Sequence, residues 1–210
     1  MKRLPRCGLR ICCIILLPAV VYFGCFRTVP QAWENAARNS SRIGLRVIWE
    51  ALVKYRNDHG EFPRGIDSAI PQDEAGLSWC VYLLPYLDEG ELFRKFHLDE
   101  NWNSEHNQKL LTAKPVFYES PIKGGDRTTT TSYLAVVSSV RQQHRSHDDD
   151  QKPRDIIIQA DQEMAVPWTK PYALQLDSQD SASRMMGRHQ GSFFVLLRDG
   201  SIEFRAGGGT

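Results

Sequence analysis

Cysteine is almost absent from the part of this chain that could fold into a domain. Five cysteines occur, and Cys7, Cys12, Cys13 and Cys25 lie in or beside the first apolar run, which leaves only Cys80. A disulfide framework needs cysteines paired inside the domain, so the domain must be held by its core. No CxxC pair occurs, which excludes a multi-cysteine zinc site. An excess of one charge sign is missing too: 26 Lys and Arg stand against 25 Asp and Glu, a net +1. A general nucleic-acid binder needs a basic surface to neutralise phosphates, so nucleic acid is not an expected partner. There is no GxSxG, no fixed-period repeat and no pair of histidines at metalloprotease spacing. Gly124-Gly125 and the final glycines lack the strand-to-helix setting of a phosphate loop. What is present is the composition of a folding protein: 41% apolar and 24% charged over 210 residues, enough for one domain plus an extra segment.

The charge that exists is unevenly spread. Residues 1–10 carry Lys2, Arg3, Arg6 and Arg10 and no acid, so they hold +4 and the rest of the chain holds −3. Residues 11–26, ICCIILLPAVVYFGCF, are sixteen residues without a charge. As a helix they rise about 24 Å, slightly short of a hydrocarbon core of roughly 30 Å. Leu9 extends the run, and Arg10 can reach the interface. Three readings compete. A cleaved signal peptide needs small residues where Tyr22 and Phe23 stand. A lipoprotein signal acylated at Cys25 meets the same objection. An uncleaved signal-anchor has neither problem and is the favoured reading. The basic flank then keeps the N-terminus in the cytoplasm. The expected location is the inner (cytoplasmic) membrane, crossed once, with the bilayer as partner through residues 11–26 and the globular domain outside.

The rest of the chain reads as one long helix followed by short elements and strands. Ile43, Val47, Ile48, Ala51, Leu52 and Tyr55 recur at spacings of three and four, and Arg42, Arg46, Glu50, Lys54 and Asp58 form a charged stripe on another face. Gly60 ends the helix. Residues 64–76 read as a loop. Leu77–Leu87 is an apolar block, helix or strand, limited by Pro85. Ser104 predicts an N-cap for a short helix through Leu111. Strands are expected at Ser132–Val137, Asp155–Ala160, Phe193–Leu197 and Ser201–Phe204. Asp199-Gly200 between the last two is a type I′ hairpin signal. The expected domain plan is 1–10 basic segment, 11–27 anchor, 28–60 long helix, 61–206 globular domain and 207–210 tail. The fold class is α+β, a long N-terminal membrane-to-periplasm helix packed on an antiparallel sheet, which is the pilin-like layout.

Several blocks carry a resemblance. His189, nine residues, then Asp199-Gly200 resembles the C-terminal His-x9-Asp-Gly motif of a large bacterial family of unknown function with a prepilin-like N-terminal helix. NDHGEFPRG (Asn57–Gly65), SWCVYLLPYLDEGELFRKFHLDENWNSEHNQKLL (Ser78–Leu111), TSYLAVV (Thr131–Val137) and VPWTKP (Val166–Pro171) resemble further blocks of that family, in order. The chain departs from it where Gly8 is followed by Leu9-Arg10 without the prepilin glutamate, and where Glu119 stands in place of a cysteine. The resemblance implies a membrane-anchored, pseudopilin-like protein, a divergent member, and implies no reaction.

The polar constellations are weighed against structural roles. Asp199 is explained by the turn, and His189 lies in a loop entering a strand, so His189, Asp199 and Gly200 are read as a structural motif. His59, His97, His106 and His189, with Asp99 and Glu100, could gather a transition metal, but His97 and His106, nine apart, could converge only through folding; no metal or other cofactor is expected. His144, His147 and Asp148–Asp150 read as a solvated charged loop. Trp102 and Trp168 are the candidate ligand contacts, Trp102 because it sits in a polar stretch. Cys80 lies among apolar residues, where a thiol is inert. The function expected is a structural or interaction protein, not an enzyme, with protein partners or copies of itself. A ligand-binding protein for sugars or peptides is the alternative, and a metal-dependent hydrolase the weaker one.

Overall fold

The computed structural model describes residues 7–66, 76–119, 121, 126–138, 155–160, 162–176 and 192–206, with residues 7–30 as backbone only. The chain divides into two compact units, Met1–Asn39 and Ser40–Thr210. Helix α1 spans Cys7–His59. In the first unit, Glu34 and Arg38 form an i,i+4 ion pair along it. Among the residues whose side chains are described, no helix is long and apolar enough to cross a membrane; the expected anchor, residues 11–26, falls outside them.

In the second unit α1 continues to His59, and Gly60 follows at φ +82, its N–H donating to the Arg56 carbonyl at 2.8 Å. Glycine takes that left-handed turn without the cost a Cβ would bring. Among the described residues, short helical pieces come next: α2 (Trp79–Tyr82), a 3-10 turn (Leu84–Leu87), α3 (Gly90–Phe93), α4 (Glu105–Gln108) and two further 3-10 turns (Leu111–Ala113 and Val116–Tyr118). The apolar block is therefore helical. Ser78 caps it by accepting from Cys80 N, and Pro85 sits in the first turn of the 3-10 piece, where its missing N–H is no loss. Ser104 caps α4 as expected, although that helix stops at Gln108.

Among the described residues, seven strands follow: β1 (Thr130–Thr131), β2 (Tyr133–Ser138), β3 (Asp155–Gln159), β4 (Val166–Pro167), β5 (Ala173–Leu176), β6 (Ser192–Leu197) and β7 (Ile202–Ala206). β1 pairs with β4, and the main sheet has the order β5-β2-β3-β6-β7. Its pairs are antiparallel except β2 with β5, which run parallel. The class is α+β, and the sheet is mixed. β5 escapes a pattern search because ALQL is four residues long and returns to β2 only after β3 and β4.

Both sheet faces are buried, which is why β2, β3 and β6 read as nearly unbroken apolar runs. Tyr133, Ala135, Ile157, Phe194 and Leu196 belong to the cluster that includes α1. Leu134, Val136, Ile158, Phe193, Val195 and Leu197 belong to a second cluster. A register shift between Asp155 and Ile157 turns both Ile156 and Ile157 to the first.

The buried face of α1 is centred on Leu45, Ile48, Ala51 and Leu52. Ile43, expected in the stripe, is 56% exposed instead. Small residues, Ser41 and Gly44, occupy the part of the helix nearest the sheet, so a search for large apolar side chains is drawn off the true face. A Cβ on Gly44 would lie 3.0 Å from the Tyr133 hydroxyl and 3.4 Å from the Phe117 carbonyl oxygen. Buried Ser41 accepts a hydrogen bond from Gln159 Nε2 at 2.9 Å. Burial pushes the Tyr133 phenol well above its ordinary range.

This face predicts a contrast. Leu45→Ala removes a buried side chain and should cost about 2–5 kcal/mol in urea unfolding, whereas Ile43→Ala should stay within about 0.5 kcal/mol. Equal costs would show that the helix packs on another face.

Candidate functional site

Asp199 and Gly200 lie in the β6–β7 hairpin, but the turn is not type I′. Gly200 has φ +87 and Asp199 is not among the positive-φ residues. Gly200 N donates to Leu197 O, and Leu197 N to Ser201 O, both at 2.9 Å. That is a three-residue loop, a type I turn closed by a left-handed glycine. The Asp199 carboxylate accepts from Ser201 N at 2.9 Å and Ser201 Oγ at 2.6 Å. These bonds hold its pKa below the ordinary carboxylate range. The carboxylate is therefore spent on its own turn.

Gly200 has a second constraint that no local rule reveals. A Cβ there would fall 2.3 Å from Trp49 Nε1 and 2.5 Å from Trp49 Cε2. The indole of α1 lies against the turn itself. Trp49 also packs near Phe62 at 6.2 Å, and the guanidiniums of Arg56 and Arg198 stand 5.0 and 5.7 Å from the Phe62 centroid. The GEFPRG block, the long helix and the Asp-Gly turn thus meet at one corner. His189, the remaining member of the motif, lies outside the described residues.

A second constellation is built around Asn107, which is fully buried. Its Nδ2 donates to the carbonyls of His97 (3.0 Å), Asn101 (3.1 Å) and Glu100 (3.5 Å), and its Oδ1 accepts from His97 N at 3.0 Å. One side chain therefore pairs with backbone groups of three loop residues. Ser104 Oγ accepts from Asn107 N at 3.1 Å, so the N-cap also fixes the clamp. The loop brings His97 and His106 together: their rings stack with centroids 3.5 Å apart and planes 3° apart. His97 Nδ1 lies 2.8 Å from Glu100 Oε1, and His106 Nε2 lies 2.7 Å from the Lys95 carbonyl. Hydrogen bonds from Ser104 and His97 lower the Glu100 pKa. Asn107 gave no sequence signal, since an asparagine three residues after a helix cap is unremarkable by itself.

The two tryptophans separate. Trp168, expected as a ligand contact, is 0% exposed. Its ring meets Phe96 edge-on at 5.8 Å and Tyr118 face-on at 6.0 Å, and its Nε1 donates to Leu111 O at 2.8 Å. A satisfied, enclosed indole has nothing left to offer a ligand at the surface, so that expectation is corrected. Trp102 is half-buried, and Lys170 Nζ sits 5.7 Å from its ring centroid. It borders the Asn107 loop, where its backbone N–H donates to Gly76 O and Gly76 N–H to Asn101 Oδ1.

Other reactive groups are absorbed by packing. Burial pushes the Cys80 thiol far up, and Tyr118 Oη donates to Cys80 O at 2.9 Å. At the end of α1, Tyr55 stacks on His59 at 4.0 Å, and Tyr86 Oη donates to Asp58 Oδ2 at 3.0 Å. Among the described residues, no group of three or more His, Cys, Asp or Glu could hold a metal ion.

The family model described as "protein of unknown function (DUF1559)" matches residues 30–168. No curated protein and no solved structure matches.

Two glycines separate backbone strain from packing. Gly60 has φ +82 with open space around it, so Gly60→Ala should cost about 1 kcal/mol. Gly200→Ala adds the overlap with Trp49 and should cost at least about 1 kcal/mol more. Chemical denaturation of both variants measures the difference, and equal losses would remove Trp49 from the account. The depressed Asp199 pKa also sets a sign. Its contribution to stability is present above the ordinary carboxylate range and is lost as pH falls through the lowered value. Asp199→Asn should therefore flatten the acid limb of the stability profile.

Proposed function

We propose that the chain, which belongs to that family of proteins of unknown function, is a single-pass, membrane-anchored, pilin-like structural or interaction protein without catalytic activity. The observation that carries the reading is the course of α1. One helical element contains the uncharged run 11–26 and ends in a face, Leu45 to Leu52, that is part of a mixed-sheet core. A run of that kind behind Lys2, Arg3, Arg6 and Arg10 fits a signal-anchor with the N-terminus in the cytoplasm. The domain from Ser40 onward then faces the extracytoplasmic side of the inner membrane. Its role is to present a surface to partner proteins or to further copies of itself.

The polar motifs support a non-catalytic reading. Asp199 caps a turn, Gly200 makes room for Trp49, Asn107 holds a loop, and Cys80 is enclosed. Each has a structural occupation. A ligand-binding role is the second reading, and Trp102 with Lys170 above its ring is what favours it. A half-exposed aromatic face beside a cation suits a sugar or a peptide side chain.

The anchor is tested by carbonate extraction of membranes from cells making the full chain. The unaltered protein should remain with the membranes. Ile15→Arg combined with Val20→Arg should release it, since each charge near a helix centre costs about 2.5–3.5 kcal/mol of insertion. Release of the unaltered chain would overturn the reading. Protease added outside spheroplasts should digest the domain after Ser40, and protection would reverse the orientation.

A further inference from the structure

We propose that His97 and His106 form a two-histidine site for a borderline divalent transition-metal ion of the zinc, nickel or copper class, with water completing the coordination. The two residues are nine apart in the chain and come from different elements, the turn after α3 and the first turn of α4. Folding nevertheless sets their rings 3.5 Å apart.

The hydrogen bonds fix which nitrogens are available. An ionised carboxylate accepts and does not donate, so His97 carries its proton on Nδ1, facing Glu100 Oε1 at 2.8 Å. A backbone carbonyl also only accepts, so His106 carries its proton on Nε2, facing Lys95 O at 2.7 Å. The neutral rings therefore keep lone pairs on His97 Nε2 and His106 Nδ1. Neither of these nitrogens has a hydrogen-bond partner among the described residues. A carboxylate behind one imidazole and a backbone carbonyl behind the other is the outer-shell support that metal-binding histidines use, because it fixes the tautomer and raises the basicity of the free nitrogen.

The site is also held in place. Asn107 clamps the backbone of His97 from both its amide nitrogen and its carbonyl oxygen, and it is the neighbour of His106 in α4. The His97 backbone is thus held by a buried, satisfied side chain, while the His97 ring is half exposed and open to an ion from solvent. The ring planes are only 3° apart, so two in-plane lone pairs meet at one ion only after one ring turns about its Cβ–Cγ bond. That torsion is broad and two-fold; turning the His106 ring exchanges its hydrogen bond to Lys95 O for the bond to the ion and leaves His97 on Glu100. With two protein ligands the remaining positions belong to water, and imidazole selects zinc, nickel or copper over the hard cations.

The test is a zinc titration of the full chain in detergent micelles, read by histidine-selective NMR of the imidazole signals. A His144→Gln/His147→Gln background removes the competing histidines beside Asp148–Asp150. The His97 and His106 signals should move together and saturate at one zinc concentration. His97→Gln should abolish the zinc response of His106 and His106→Gln that of His97, whereas His59→Gln should leave both intact. Glu100→Gln should weaken zinc binding about 10-fold. Zinc shifts at His59 or His189 alone, a lone response from His97 or His106, or a His106 response unchanged by His97→Gln would each overturn the proposal.

Discussion

The close approach of α1 to the sheet is the constraint on which the rest of the domain depends. Two glycines permit it from opposite partners. Gly44 on the helix leaves room for the Tyr133 hydroxyl, and Gly200 on the β6–β7 turn leaves room for the Trp49 indole. Between them Leu45, Ile48 and Leu52 fill the interface with side chains that are fully buried. A polar pair, Gln159 on Ser41, is enclosed in the same layer, where a hydrogen-bond partner is required for each. Space is thus specified by absence of a side chain at two points and by apolar volume between them.

The same logic explains why the Asp-Gly turn is placed where it is. Asp199 would be satisfactory in any tight loop, but only a glycine can sit beneath Trp49 with φ +87. The C-terminal hairpin is therefore not a decoration on the sheet edge. It closes the corner where Phe62 and the arginines Arg56 and Arg198 gather. Of the His189, Asp199 and Gly200 motif, the two described residues form a turn that fits against the long helix.

Much of this was legible in the sequence, and the gaps have physical causes. The helix, its glycine stop, the Ser104 cap, four of the strands and the final hairpin all rest on local rules of spacing and turn chemistry. Ile43 falls off the buried face of α1, because packing there is set by what Ser41 and Gly44 lack. The parallel strand β5 leaves no signal, since it is four residues long and its partner β2 lies before β3 and β4 in the chain. Trp102 and Trp168 look alike as residue types, and only the packing of Phe96 and Tyr118 around one of them tells them apart. The meeting of His97 and His106 depends on the hydrogen bonds of one buried asparagine, which periodicity does not encode.

If the helix–sheet contact organises the domain, its helix and strands must come apart together. Native-state hydrogen exchange of the intact protein measures this residue by residue. The amides of Leu45–Leu52 should exchange only through the same global opening as those of β2, β3 and β6, with one shared free energy. Exchange of those helix amides at a distinctly lower free energy than the strands would mean that α1 detaches on its own and that the sheet does not depend on it.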